Sequence, residues 1–262
     1  MSADVDIRQH GAIQVLRLTR PDKKNALTGE MYALLTDALE AGDANEDVAA
    51  HVILGSGGVF SAGNDISDFL QTSKNENGLG RDVLRFISLL PLIQKPLLAG
   101  VDGKAIGIGT TLLFHCDLVF ATPAAEFSTP FLDLGLVPEA GSSLLMPRVM
   151  GYQRAFEMLV LGATFSAERA RECGFVNQIL EADKIESAVM AAASRLASKP
   201  PKALALARQL LKGDAKEISA CIKREADIFR NRLASPEAME TFQAFIEKRP
   251  PRFSHAPTQK NI

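Results

Sequence analysis

Apolar residues along this chain recur with two periods. IQVLRL, from Ile13 to Leu18, has the character of a β-strand, and HVIL, from His51 to Leu54, that of a short buried one. LLAGV (97–101), DLVFA (117–121) and VNQIL (176–180) are further strands. Between them run helical stripes. Met31, Leu34, Leu35, Ala38 and Leu39 fall at i, i+3, i+4, i+7 and i+8 behind Thr28, a capping residue. Val83, Leu84, Phe86, Ile87 and Leu90 mark a second helix, stopped by Pro91. KNENGLGR (74–81) is polar and reads as a mobile loop, and GKAIGIGTTLLFHC (103–116) as loop then helix. This interleaving predicts an α/β fold.

From about Asp183 the strand signal fades. Helices are expected over 186–198, 201–212 and 215–234, and Ser235-Pro236 starts one more. Met239, Phe242, Phe245 and Ile246 form one apolar stripe there, and Ile218, Ile222 and Phe229 another. Such faces must be buried, against the chain's own body or a neighbouring subunit. The expected division is an α/β body over 1–182 and a helical region with a short tail over 183–262.

Composition narrows the functional classes. At roughly 150 residues per domain, 262 residues make one large domain, or one with an appendage. Hydrophobic residues at 47 % and charged ones at 23 % exclude a disordered chain. A net charge of −2 supplies no footprint for nucleic acid or an anionic membrane. The three cysteines, Cys116, Cys173 and Cys221, form no CxxC, so a zinc ribbon or thioredoxin-type site is excluded. The four histidines lack metal-ligand spacing, so no metal is expected. A polar start, no long apolar run and no peroxisomal or ER address at the end lead us to expect a cytoplasmic protein.

Several familiar motifs fail on inspection. GSGGVF (55–60) places Phe60 where a dinucleotide-binding glycine is needed, and GKAIG lacks the Ser/Thr of a P-loop. Gly141-Ser142-Ser143-Leu144-Leu145 lacks the closing glycine of a nucleophile elbow. His115, Cys116 and Asp117 are consecutive, so on a helix their side chains point about 100° apart and cannot converge.

Two glycine-containing loops and one carboxylate remain. FSAGNDISDF (60–69) and GKAIGIGTT (103–111) each follow a strand, and the second opens a helix. Such loops let the backbone approach a ligand, and two N–H groups aimed at one point make an oxyanion hole. Glu139 sits between Pro138 and Ala140-Gly141, within Leu134, Leu136, Val137, Leu144, Leu145 and Met146. Desolvation there would raise its pKa and make it a better base near neutrality. Asp65, Asp68 and Asp133 are the fallback carboxylates.

Together these segments resemble the crotonase (enoyl-CoA hydratase/isomerase) superfamily over roughly residues 10–250. RPDKKNALT (20–28), with Lys24 and Ala26, looks like that family's CoA-side loop, and AGNDI (62–66) like its AGxD segment. The resemblance implies that Ala62, Gly63, Asn64, Asp65 and Ile66 bind substrate, with Asn64 supplying the first oxyanion N–H. Gly107 and Ile108 match the GxG turn, with Ile108 giving the second. It also implies spiralled β-β-α turns and a C-terminal helical region used for trimerisation, often as a dimer of trimers. No separate cofactor is implied, because coenzyme A enters as part of the substrate thioester.

Hydratases of the superfamily hold a water between two glutamates. The matching positions here are Thr111 and Phe131, and neither side chain can serve as a general base. Glu139, within LGLVPEAGSS, resembles instead the single glutamate of the Δ3,Δ2-enoyl-CoA isomerase branch. The expected catalytic set is therefore Glu139, Asn64 and Ile108, with Thr111 and Phe131 against the substrate. The resemblance implies an acyl-CoA double-bond isomerase of fatty acid metabolism, of the kind that serves beta-oxidation. The alternatives are an enoyl-CoA hydratase or other acyl-CoA lyase using Glu139, and a non-catalytic acyl-CoA-binding protein. RNA binding is argued against by the balanced charge.

Overall fold

HVIL and LLAGV are buried along their whole length because both faces of the main sheet are covered there. The structure, a computed structural model, describes residues 4–67, 79–247 and 249–253. In chain order its elements begin with β1 (Val5–His10), β2 (Ile13–Leu18), α1 (Gly29–Ala44), β3 (Ala50–Leu54) and α2 (Arg81–Leu89). Next come β4 (Leu97–Val101), β5 (Lys104–Ile106), α3 (Ile108–Thr111), β6 (Leu118–Ala121) and β7 (Glu126–Ser128). Then follow α4 (Ser142–Met150), α5 (Tyr152–Leu159), β8 (Phe165–Ser166), α6 (Ala167–Glu172) and β9 (Gln178–Ile179). Four helices finish the described chain: α7 (Ala182–Ala197), α8 (Pro201–Lys212), α9 (Ala215–Leu233) and α10 (Pro236–Ile246).

The main sheet runs β1-β2-β3-β4-β6-β9, antiparallel between the first two strands and parallel thereafter. Val15 pairs with Val52, which pairs with Leu98, and these side chains join Ile185, Val189 and Ala193 of α7 in one core. The alternate residues Leu16, Ile53, Ala99 and Val119 face the larger core, with Phe86, Leu113 and Met146. A smaller sheet, β5-β7-β8, carries the second glycine loop. This mixed architecture is the expected α/β class.

The hydrophobic pattern does not announce every element. The polar start of the chain forms β1, an edge strand in which only Val5 is buried, so no apolar alternation announces it. The strands of the smaller sheet have two or three residues, below the length at which periodicity registers. The stripe of Ile218, Ile222 and Phe229 is buried within the chain itself. In α10 Phe242 is buried and Met239 exposed. Asp68, residues 74–78 of the predicted loop, the side chains of Phe245 and Ile246, and the tail from 254 lie outside the described residues. Among the described residues, no helix is long and apolar enough to cross a membrane, and no cluster of metal-ligating side chains occurs.

Candidate active site

The two glycine loops lie side by side. Ser61 bridges Ala105, and the Ile106 N–H donates to the Ser61 carbonyl at 2.9 Å. Gly63 has φ +85°, and a Cβ there would stand 2.8 Å from the Ile106 carbonyl oxygen, so this approach requires glycine. On its other side the first loop pairs with residue 27. The Leu27 N–H donates to the Gly63 carbonyl at 2.8 Å, and the Asp65 N–H to the Leu27 carbonyl at 2.8 Å. Because amides alternate along an extended chain, the Asn64 N–H is turned away from Leu27. Ile108 is the first residue of α3, so its N–H has no intrahelical acceptor.

Both loops open on one cavity of about 490 Å³. Ala62, Gly63, Asn64, Ile66, Gly107 and Ile108 line one part of it, and Phe131, Leu134, Leu136, Phe229 and Phe242 another. The C-terminal helices thus supply part of the wall. Asp133 and Arg249 also border it.

Lys24 and Ala26 stand beside the first loop rather than in this lining. The Lys24 carbonyl accepts the Ala62 N–H at 2.9 Å, and Arg20 bridges the Ala26 carbonyl (3.1 Å) and Asp65 (2.8 Å). Asp65 is therefore in an ion pair. Lys24 itself is exposed. Tyr32 donates its hydroxyl to the Asn64 side-chain oxygen, a contact 32 residues apart that no local motif reveals.

Glu139 is 3 % exposed. Thr111 donates its hydroxyl to Glu139 Oε1 at 2.6 Å. Burial pushes the Glu139 carboxyl up to about 8, against the opposing pull of the Thr111 hydrogen bond and with a further push from the Glu225 charge. Thr111, one turn beyond Ile108 on α3, thus ties the carboxylate to the helix that opens at the second glycine loop. Neither Thr111, expected against the substrate, nor Glu139 is in the lining of the 490 Å³ cavity; both are buried.

The turn after Glu139 is unusual. Ala140 has φ +57° and Gly141 φ +74°, two successive left-handed residues leading into α4. The Ala140 carbonyl accepts from His115 Nε2 at 2.7 Å, which fixes the proton on that nitrogen. Burial depresses the His115 pKa to about 4. The Cys116 thiol, pushed up to about 12 by burial, approaches the Leu112 carbonyl at 3.7 Å, and Asp117 pairs with Arg208 at 2.8 Å. The three consecutive residues have separate partners; the helical turn ends at His115 and Cys116 is extended, so the spacing of a continuous helix does not apply to them.

The comparisons with known proteins agree on one family, while the relatives' names span isomerase, dehalogenase and hydratase. A family model described as enoyl-CoA hydratase/isomerase matches residues 8–256. Enoyl-CoA delta isomerase 2 of Rattus norvegicus is 33 % identical over 254 residues, 95 % of this chain. The chain spans only 65 % of that relative's length. The 1,2-epoxyphenylacetyl-CoA isomerase of Escherichia coli (strain K12) is 31 % identical, covering 92 % of this chain and 95 % of its own. The crystal structure of an enoyl-CoA hydratase/isomerase from Pseudoalteromonas atlantica T6c superposes with a TM-score of 0.90 at 36 % identity, over 96 % of this chain and 100 % of that one.

Proposed function

The chain belongs to the enoyl-CoA hydratase/isomerase family, and from that premise we propose that it is an acyl-CoA double-bond isomerase, converting 3-enoyl-CoA to 2-enoyl-CoA. The observation that carries this reading is Glu139. It is buried and hydrogen-bonded by Thr111, with its proton affinity raised into the range of a base that works near neutrality. Thr111 and Phe131, which stand where hydratases resembling this chain hold glutamates, offer no second carboxylate to position a water.

The chemistry needs one carboxylate. The C2 hydrogen of a 3-enoyl thioester is acidified by the carbonyl and the adjacent alkene. Glu139 takes that proton, the electrons delocalise as a dienolate, and the same carboxyl returns a proton at C4. The negative oxygen is held by the N–H groups of Asn64 and Ile108. The loop of Lys24, Ala26 and Ala62 to Ile66 takes the coenzyme A end, and the apolar wall of Phe131, Leu134, Phe229 and Phe242 takes the acyl chain. No cofactor beyond the substrate's own coenzyme A has a role.

The assembly we propose is a homotrimer or a dimer of trimers. Supporting it, α8 carries Leu210 and Leu211 at 84 % and 89 % exposure, and α5 exposes Tyr152 and Phe156. Light scattering should give three or six times 28.2 kDa, and a particle of one chain would contradict it. Turnover of 3-enoyl-CoA in deuterated water, with the product's label located by NMR, tests the reaction. Label confined to C2 and C4 of a 2-enoyl product supports it, and a 3-hydroxyacyl product as the main outcome overturns it.

A further inference from the structure

Helix α4 begins without a capping side chain, because its N-cap residue is Gly141. The unpaired N–H groups at a buried helix start need an acceptor. Glu225 provides it from α9, 84 residues away along the chain. Glu225 Oε2 accepts the Gly141 N–H at 2.6 Å, Oε1 accepts the Ser143 N–H at 3.0 Å, and Ser143 adds its hydroxyl. Glu225 is 5 % exposed. A negative charge at this end of a helix is favourable. The Cys221 thiol, one turn earlier on α9, approaches the same Oε1 at 3.6 Å.

We propose that Glu225 is a positioning residue for Glu139: it clamps the left-handed Ala140–Gly141 turn that presents Glu139. The proposal rests on the reading of Glu139 as the base. The clamp is two-sided. His115 holds the Ala140 carbonyl from the segment after α3, and Glu225 holds the next N–H from α9. Two successive left-handed residues, one of them alanine, persist only where the surroundings fix them. The C-terminal helical region therefore sets the geometry of the base as well as covering the cavity.

The charge has a consequence of its own. A like charge nearby disfavours ionisation, so Glu225 keeps Glu139 more basic than burial alone would. Of the other ionisable groups around this turn, His115 and Cys221 are buried. His115 has its pKa depressed by burial, and Cys221 has its thiol raised. Arg148 of α4 pairs with Glu217 of α9 at 2.6 Å, at an exposed position.

The test is a titration of the Glu139 carboxyl in the full-length protein by ¹³C NMR of labelled glutamate, with Glu139→Gln assigning the resonance. Glu225→Gln keeps the shape and removes the charge; the Glu139 midpoint should fall by about one unit. Glu225→Asp keeps the charge but retracts the carboxylate by one methylene. Its Glu139 midpoint should stay near the wild-type value while kcat falls about 10–100-fold with little change in KM. An unchanged midpoint in Glu225→Gln overturns the electrostatic consequence, and full kcat in Glu225→Asp overturns the positioning claim. Should Glu225→Gln fail to fold, Glu225→Asp still decides the positioning claim. Failure of the wild type to isomerise 3-enoyl-CoA would overturn the isomerase reading instead, and leaves the NMR comparison intact.

Discussion

The Thr111 hydroxyl donates to Glu139 Oε1 at 2.6 Å, joining the last residue of the helix after the second glycine loop to the carboxylate 28 residues later. A hydrogen bond to the charged form favours ionisation, so this contact pulls the Glu139 pKa down against burial. Thr111→Val keeps the branched shape and removes the donor. The acid limb of kcat/KM should move up by about one unit, so that activity at pH 7 falls about tenfold. A pH–rate profile checks this, and an acid limb that moves down contradicts it.

Glu139→Gln should fold, bind acyl-CoA and lose about 10²–10⁴ of kcat, the usual contribution of a general base. It should also change how stability depends on pH. The folded carboxyl holds its proton up to about 8, whereas the unfolded one releases it near 4.5. Between these values the folded state binds more protons, so wild-type stability falls as pH rises through that window. Below 4.5 both states are protonated and the effect vanishes. Thermal melts at pH 5 and pH 9 should show Glu139→Gln gaining on the wild type at the higher pH. An equal difference at both would contradict the buried, raised carboxyl.

Much of this is legible in the sequence, and the remainder is hidden for identifiable reasons. The parallel strands β3 and β4 announce themselves because both faces are buried, leaving almost wholly apolar runs. Glu139 stands out as a charge inside an apolar turn. Its partners do not. Thr111 is 28 residues away, Tyr32 is 32 residues from Asn64, and Glu225 is 84 residues from Gly141. Periodicity carries local structure, and these contacts exist only after the sheet has brought distant segments together. Glu225 also sits on a helix rich in Arg, Lys and Glu, where one buried carboxylate looks like its solvated neighbours.

The Ile108 N–H can be removed without breaking the helix it starts. Proline is tolerated at the first helical position, where the N–H has no intrahelical acceptor. Ile108→Pro should therefore keep the fold and lose about 10²–10³ of kcat, the cost of one oxyanion-hole donor. Circular dichroism and steady-state kinetics together check it; a folded variant with wild-type kcat would remove Ile108 from the mechanism.

Phe242 projects from α10 into the cavity wall and is buried. Phe242→Ala should enlarge the space for the acyl chain. The ratio of kcat/KM for longer over shorter substrates should rise about tenfold, the worth of roughly one well-packed methylene. Kinetics over an acyl-CoA series of increasing length measures this. An unchanged ratio would place the chain terminus elsewhere.

The central claim is that one buried carboxylate, Glu139, with Thr111 and Phe131 standing where hydratases hold glutamates, moves a double bond. The most direct measurement is a spectrophotometric comparison of initial rates on 3-enoyl-CoA and 2-enoyl-CoA of the same chain length. The single-glutamate mechanism predicts that 3-enoyl-CoA gains the absorbance of a conjugated enoyl thioester at least about 10²-fold faster than 2-enoyl-CoA loses it to hydration. Faster loss than gain would show that this site activates water, and would contradict the account.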